Sequence, residues 1–173
     1  MAGALIVTAM LGARDLSRLD GLRRTHFPPE HNFLTAHLTM FHALPPSLEG
    51  EVRALLAQLA ASHRPPIATL SEVMSLGRGV AFRVRSDELE ALRHLIAEHF
   101  HGALTAQDSQ GWRPHITIQN KVEPKVAKAL KTHLETNFEP RPLEIAGLAL
   151  HRYMDGPWDP LGRWTFRGRG SLL

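Results

Sequence analysis

The sequence predicts an α+β (α/β) fold: two duplicated β-α-β-α-β halves forming two pseudo-symmetric lobes around a central cleft. Three observations predict it. Strand-like and helix-like patterns alternate along the 173 residues with no low-complexity linker. The tripeptide HLT at 37–39 returns as HIT at 115–117, an offset of 78 residues. The same offset carries Ile6 onto Val84, a helix at 48–62 onto 126–140, and a strand at 68–74 onto 146–152. Elements recurring in order at one period are the mark of an internal repeat. A single bilobal domain over 1–173 is expected, with repeat halves of approximately 1–78 and 79–173. A chain of this length buries roughly 70% of its unfolded surface.

The elements follow from local pattern. Residues 4–10 (ALIVTAM) are continuously apolar and read as a buried strand. Leu16, Leu19 and Leu22 give a helix over 15–24, stopped by Pro28-Pro29. Residues 36–43 (AHLTMFHA) alternate as a strand and end at Pro45-Pro46. Ser47 is the expected cap of a helix over 48–62, whose Val52, Leu55, Leu56 and Leu59 form one stripe. Strands at 67–76 and 80–85 flank the turn Gly77-Arg78-Gly79, and Ser86 or Asp87 caps a helix running to His101. A loop rich in Gly, Asp and Gln follows. Then come a strand at 115–119, a helix at 124–137, a strand at 143–152 and, after a Gly/Pro/Trp turn, a last strand at 163–167.

Composition narrows the function classes. With no cysteine, thiolate zinc sites, iron–sulfur clusters, disulfide scaffolds and cysteine nucleophiles are excluded. No apolar run approaches the ~20 residues that cross a bilayer. The apolar run at 4–10 is short and has no basic residue ahead of it, a poor signal peptide, so a soluble cytoplasmic protein with no membrane partner is expected. Twenty basic residues against 17 acidic give a net charge of +3. That surplus is too small for a protein coating a nucleic acid and suits an anionic substrate such as a phosphate ester.

The two HxT tripeptides carry the chemistry. Residues i and i+2 of a strand share a face, so His37 and Thr39 point one way while Leu38 and Met40 point the other. His115 and Thr117 likewise oppose Ile116 and Ile118. If the halves are related by a pseudo-two-fold, both polar pairs converge on one cleft. Two imidazoles there suit phosphodiester cleavage, one taking a proton while the other donates to the departing oxygen. The threonine hydroxyls can donate to the non-bridging phosphoryl oxygens. The histidines move the protons themselves, so neither a metal nor another cofactor is expected.

AHLTMFH followed by a proline pair, then PHITIQNKV 78 residues later, resembles the paired HxT signature of the 2H phosphoesterase superfamily. The FPPE segment and the closing LHRYMDGPW look like its bacterial branch labelled 2'-5' RNA ligase, so the resemblance covers essentially the whole chain. It implies a bilobal α/β fold with the site between lobes. It also implies metal-independent hydrolysis of 2',3'-cyclic phosphates, or reversible handling of 2'-5' phosphodiester linkages, in nucleotides or RNA. The family's catalytic histidines map onto His37 and His115, and its phosphate-binding hydroxyls onto Thr39 and Thr117.

Other residues receive plainer expectations. Arg113 lies close enough to the second motif to reach a substrate phosphate, and Tyr153 is a candidate for stacking on a base. His42 comes five residues after His37 and should face the other side of a regular strand, in packing or a strand-end hydrogen bond. His94, His99 and His101 lie on or just past one helix with no carboxylate to complete a metal motif. Lys121, Lys125, Lys128 and Lys131 have helical spacing and read as a solvated basic face. Trp158 and Trp164 frame the last turn and are expected to pack, and Arg163, Arg167 and Arg169 form a basic end. Three alternatives stand beside the phosphoesterase: a module gripping RNA ends or a nucleotide without turnover, an ATP-independent 2'-5' RNA ligase running the same chemistry in reverse, and a metallohydrolase. The missing carboxylate partners make the metallohydrolase the weakest.

Overall fold

The computed structural model describes residues 3–170. The ends of the expected 1–173 span, residues 1–2 and 171–173, lie outside the described residues. The first run of elements is β1 (Leu5–Leu11), α1 (Ala13–His26), β2 (Leu38–Leu44), α2 (Glu49–Ser62) and β3 (Ile67–Ser75). The second is β4 (Val80–Arg85), α3 (Asp87–His99), a one-turn α4 (Ala106–Ser109), β5 (His115–Gln119), α5 (Pro124–Glu135) and β6 (Arg141–Tyr153). A last strand, β7 (Trp158–Thr165), closes the chain. Apart from α4 and β7 the two runs match element for element, at the spacing of the HxT repeat.

The sheet order is β2-β1-β6-β3-β4-β5, all neighbours antiparallel, with β7 on the edge of β6 opposite β1. This order shows an exchange. The third strand of each run pairs with the other run: β6 lies on β1, and β3 lies on β4. The seam between them is the short β3–β6 ladder, Ile67↔Glu144 to Leu70↔Arg141. Position 78/79 therefore marks the sequence repeat and not the boundary between the two sheet halves. The exchange covers the inner edge of each two-stranded ribbon, an edge that would otherwise expose unpaired backbone.

The helices bury the stripes their spacing predicts: Val52, Leu55, Leu56 and Leu59 of α2, and Leu89, Leu92 and Ile96 of α3. They join Leu38, Met40, Phe41, Leu70 and Ile116 in one continuous core. Ser86 caps α3, its hydroxyl accepting from the Leu89 amide at 3.1 Å. Ser47 does not cap α2. Pro45 and Pro46 instead start a 3-10 turn, closed by Leu48 N–H on the Pro45 carbonyl (3.0 Å), which runs straight into the helix. Gly77 takes the positive φ of 79° that the β3–β4 turn needs, and Gly79 lies so close to the Gln119 carbonyl that no side chain fits. The last strand begins five residues earlier than expected. Pro160 and Gly162 suggest a turn, but β7 pairs with β6 alone, and an edge strand tolerates a residue with no N–H to donate. Among the described residues no helix is long and apolar enough to cross a membrane.

Candidate active site

The strand alternation places the motif residues as expected. Leu38 and Met40 are buried with Thr39 half-buried between them, and Ile116 and Ile118 are buried around a half-buried Thr117. His37 stands one residue before β2, and His115 opens β5. The two rings are held in the same way. His37 Nδ1 lies 2.7 Å from the Thr35 carbonyl, and His115 Nδ1 lies 2.8 Å from the Arg113 carbonyl, each two residues upstream. A carbonyl oxygen only accepts, so Nδ1 must carry a proton in both rings. Nε2 is then the nitrogen that gains or loses one. When neutral it accepts, and when protonated it donates.

His37, Thr39, His115 and Thr117 line one cavity of about 370 Å³, together with Arg113, His42 and Trp158. A second cavity of about 440 Å³ adjoins it, sharing His37, Thr117 and Trp158. Its rim is aromatic, with Phe33, Tyr153 and Trp158, and it also holds Arg23 and Lys121. Arg113 and Tyr153 thus lie in adjoining compartments on either side of the motif pair.

Burial dominates the electrostatics. Desolvation lowers His37 to about 4, against the opposing bond to Thr35, and positive charge at Arg23, His151 and His115 pushes the same way. His37 is therefore neutral at neutral pH in the free protein. Desolvation lowers His151 as well. Its Nε2 meets the Thr8 hydroxyl at 3.1 Å. The Trp158 ring lies close to both histidines, 4.7 Å from the centre of His37 and 5.3 Å from that of His151.

Two buried arginines brace the backbone of the motif strands. Arg23 of α1 donates from Nε to Asn32 Oδ1 (2.8 Å) and from Nη1 to the Thr117 carbonyl (3.2 Å), with its guanidinium over the Phe27 ring. Arg93 of α3 donates from Nε to the Met40 carbonyl (2.9 Å) and from Nη2 to the Asp108 carbonyl (2.8 Å). The Arg93 guanidinium lies against Phe41 and Trp112, and Trp112 Nε1 donates to the Thr39 carbonyl at 3.0 Å. Each repeat thus sends an arginine to the backbone of the other repeat's motif strand. Asp108 adds a further tie, taking the His42 and Ala43 amides at 2.8 and 2.9 Å. Burial pushes its carboxyl up, but the bonds from the His42 ring and from the two amides outweigh that and hold it below the ordinary range.

Several residues sit elsewhere than the sequence implies. His42 faces the cleft, because register shifts in the β1–β2 ladder insert a bulge before it and reverse the alternation. Trp158, expected to pack, lies against His37. Trp164 does pack on the core. Lys121 reaches the aromatic compartment at a positive φ of 62°, while Lys131 pairs with Glu135 along α5 at 3.0 Å. His94 and His99 meet Glu98 and Glu51 on exposed surface. Arg163 lines an apolar extension of the cleft beside Thr8 and His151. Arg23, Arg93, Asp108 and His151 had no signal in the pattern. Among the described residues no group of three or more metal-binding side chains comes together.

The sequence profile described as the 2'-5' RNA ligase superfamily matches residues 12–157. The fold is similar to that of TT0787 of Thermus thermophilus, with a TM-score of 0.64 and 18% identity over 96% of this chain and 100% of that one. It is also similar to E. coli LigT complexed with NADP+, with a TM-score of 0.62 and 19% identity over 96% and 99% of the two chains. LigT complexed with 3'-AMP gives a TM-score of 0.61 and 18% identity over the same shares, 96% and 99%. At such identities the likeness concerns the fold. No curated protein matches the chain in sequence.

Proposed function

The chain belongs to the 2'-5' RNA ligase superfamily, and from that premise we propose that it is a two-histidine phosphoesterase hydrolysing 2',3'-cyclic phosphate or 2'-5' phosphodiester bonds of nucleotides or RNA. One observation carries the proposal. Two histidines, each with Nδ1 tied to the carbonyl two residues upstream, line one cavity with two threonines placed at i+2. Structural histidines need no such matched tethering of Nδ1.

Neutral His37 is the natural acceptor, and its Nε2 takes a proton from water as the water oxygen attacks phosphorus. Protonated His115 gives its Nε2 proton to the ribose oxygen as the P–O bond breaks. Charge building on the non-bridging oxygens meets the hydroxyls of Thr39 and Thr117 and the guanidinium of Arg113. Phe33, Tyr153 and Trp158 offer faces to a base, as aromatic side chains do for unpaired nucleotides. LigT has been described with 3'-AMP and with NADP+, which supports a nucleotide here. No step runs through a metal.

The test is to incubate the pure protein with chelator and a panel of 2',3'-cyclic nucleotides, identifying the product isomer. A single 2'- or 3'-phosphate product, formed with EDTA present, is expected. Inactivity restored only by zinc or manganese would hand the site to a metallohydrolase. Tight nucleotide binding with no product from any cyclic nucleotide or 2'-5' linkage would make it a binding module.

A further inference from the structure

A third histidine faces the cleft and has no part in the proton transfers above. The bulge in β2 turns His42 toward the cavity, leaving 43% of its side chain exposed, while the carboxylate behind it is fully buried. His42 Nδ1 lies 3.2 Å from Asp108 Oδ1. A carboxylate held ionised only accepts, so Nδ1 carries the proton and the ring is fixed with Nε2 on the far side. Among the described residues Nε2 has no hydrogen-bond partner. Capping the His42 and Ala43 amides would account for Asp108 alone. It does not account for a third bond that orients a half-exposed ring.

What surrounds His42 indicates its ligand. This end of the cleft carries Arg113, Gln107 and Gln110, and among the described residues no acidic side chain lines the cavity. It offers little for stacking: Trp112 is committed to the Thr39 carbonyl and to Arg93. Phe33 and Tyr153 lie at the other end, and Trp158 borders both compartments. The cleft therefore runs from an aromatic compartment, past the histidine–threonine pairs, to a compartment of cationic and amide donors. In a nucleic-acid end the group carrying negative charge beyond the reacting phosphate is the next phosphodiester.

Building on the phosphoesterase reading, we propose that His42, oriented by Asp108, binds the phosphodiester adjoining the reacting phosphate, so that the substrate is an oligonucleotide end and not a mononucleotide. An anionic oxygen at Nε2 completes a chain of carboxylate, imidazole and phosphate.

Calorimetry with two probes tests this without relying on turnover. One is a ribodinucleotide bearing a 3'-phosphate. The other is its twin, whose internal linkage is an uncharged methylphosphonate. The wild type is expected to bind the charged probe roughly 10-fold or more tightly, the worth of a hydrogen bond to a charged group. In His42→Asn that ratio falls toward one. Asn keeps an N–H for Asp108 in place of Nδ1 but is too short to present a second nitrogen, so the melting temperature stays close to wild type. His42→Ala, which removes both ring nitrogens, serves the same purpose should the Asn variant not fold. Lys125→Ala, on an exposed turn of α5 away from the cleft, controls for net charge and keeps the ratio. Equal binding of both probes by the wild type overturns the proposal, as does a ratio that survives in His42→Asn. Because binding is read, a protein that discriminates the probes but hydrolyses nothing refutes the catalytic proposal and leaves this subsite standing.

Discussion

Replacing Arg93 with Met should destabilise the fold and slow the reaction together. Met keeps an unbranched stem between Phe41 and Trp112 but removes the donors to the Met40 and Asp108 carbonyls, at 2.9 and 2.8 Å. Hydrogen bonds from a charged donor contribute about 1.5–3 kcal/mol each. Some of that loss is offset because a buried guanidinium no longer has to be desolvated. A net loss of about 3 kcal/mol follows, or roughly 6–12 °C in melting temperature for a chain this long. The freed carbonyls lie next to Thr39 and in α4, ahead of His115, so the two motifs lose their common brace. Misplacement of reacting groups by about 1 Å can cost on the order of 100-fold, and turnover should fall at least about 10-fold by that route. Denaturant unfolding and kcat on a confirmed cyclic phosphate measure the two effects. Arg93→Lys keeps the charge but not the planar fork, and should recover less than half of either loss. An Arg93→Met protein melting within about 2 °C of wild type with normal kcat would refute the bracing role.

Other outcomes follow from the same geometry. His37→Ala and His115→Ala should each lower turnover by at least about 100-fold, and the double variant should be little worse than the weaker single, because the two act as one acid–base pair; near-normal kcat in either single variant would contradict the mechanism. Thr39→Val and Thr117→Val should each lose roughly 10–150-fold in kcat/KM, the worth of a hydrogen bond to a charged group, while the Ser variants stay much closer to wild type; equal activity of Val and Ser would remove the hydroxyls from the phosphate. Stability should fall as pH drops from 6.5 to about 4, because His37 takes up its proton more readily unfolded than folded and each step down in that window favours the unfolded chain. The same group contributes no pH dependence above that window, and chemical unfolding of His37→Asn should show a shallower acid slope.

How much of this was legible in the sequence depends on how local each cause is. The His–Thr faces of β2 and β5 follow from strand alternation alone, and a cap at Ser86 or Asp87 follows from local pattern, with the structure choosing Ser86. The side of His42 is not legible locally, because a bulge depends on the partner strand, where Thr8↔Thr39 and Val7↔Phe41 fall out of step. Arg23 and Arg93 look like ordinary charged positions on their helices. Their burial comes from carbonyls 94 and 53 residues away, to which no helical periodicity points. Trp158 was hidden by Pro160 and Gly162, whose turn character is real but is overridden on an edge strand.

The β6–β7 hairpin is the one long element pair without a counterpart in the first repeat, and it breaks a symmetry that would otherwise make the two histidines equivalent. Trp158 leads β7 and lies against His37, while among the described residues no aromatic ring pairs with His115. A matched pair of sites has no physical reason to place an acid in one and a base in the other. A wall present on one side only supplies that reason, since desolvation is the largest cause holding His37 at about 4. Trp158→Leu thins that wall and admits water, so the His37 ionisation should rise toward its ordinary value of 6.5. In the kcat/KM profile, which reports the free protein, the acid limb should therefore move to higher pH while the basic limb stays in place. An acid limb that stays put, or moves lower because the lost attraction between ring and imidazolium outweighs the added water, would show that Trp158 does not set the His37 ionisation.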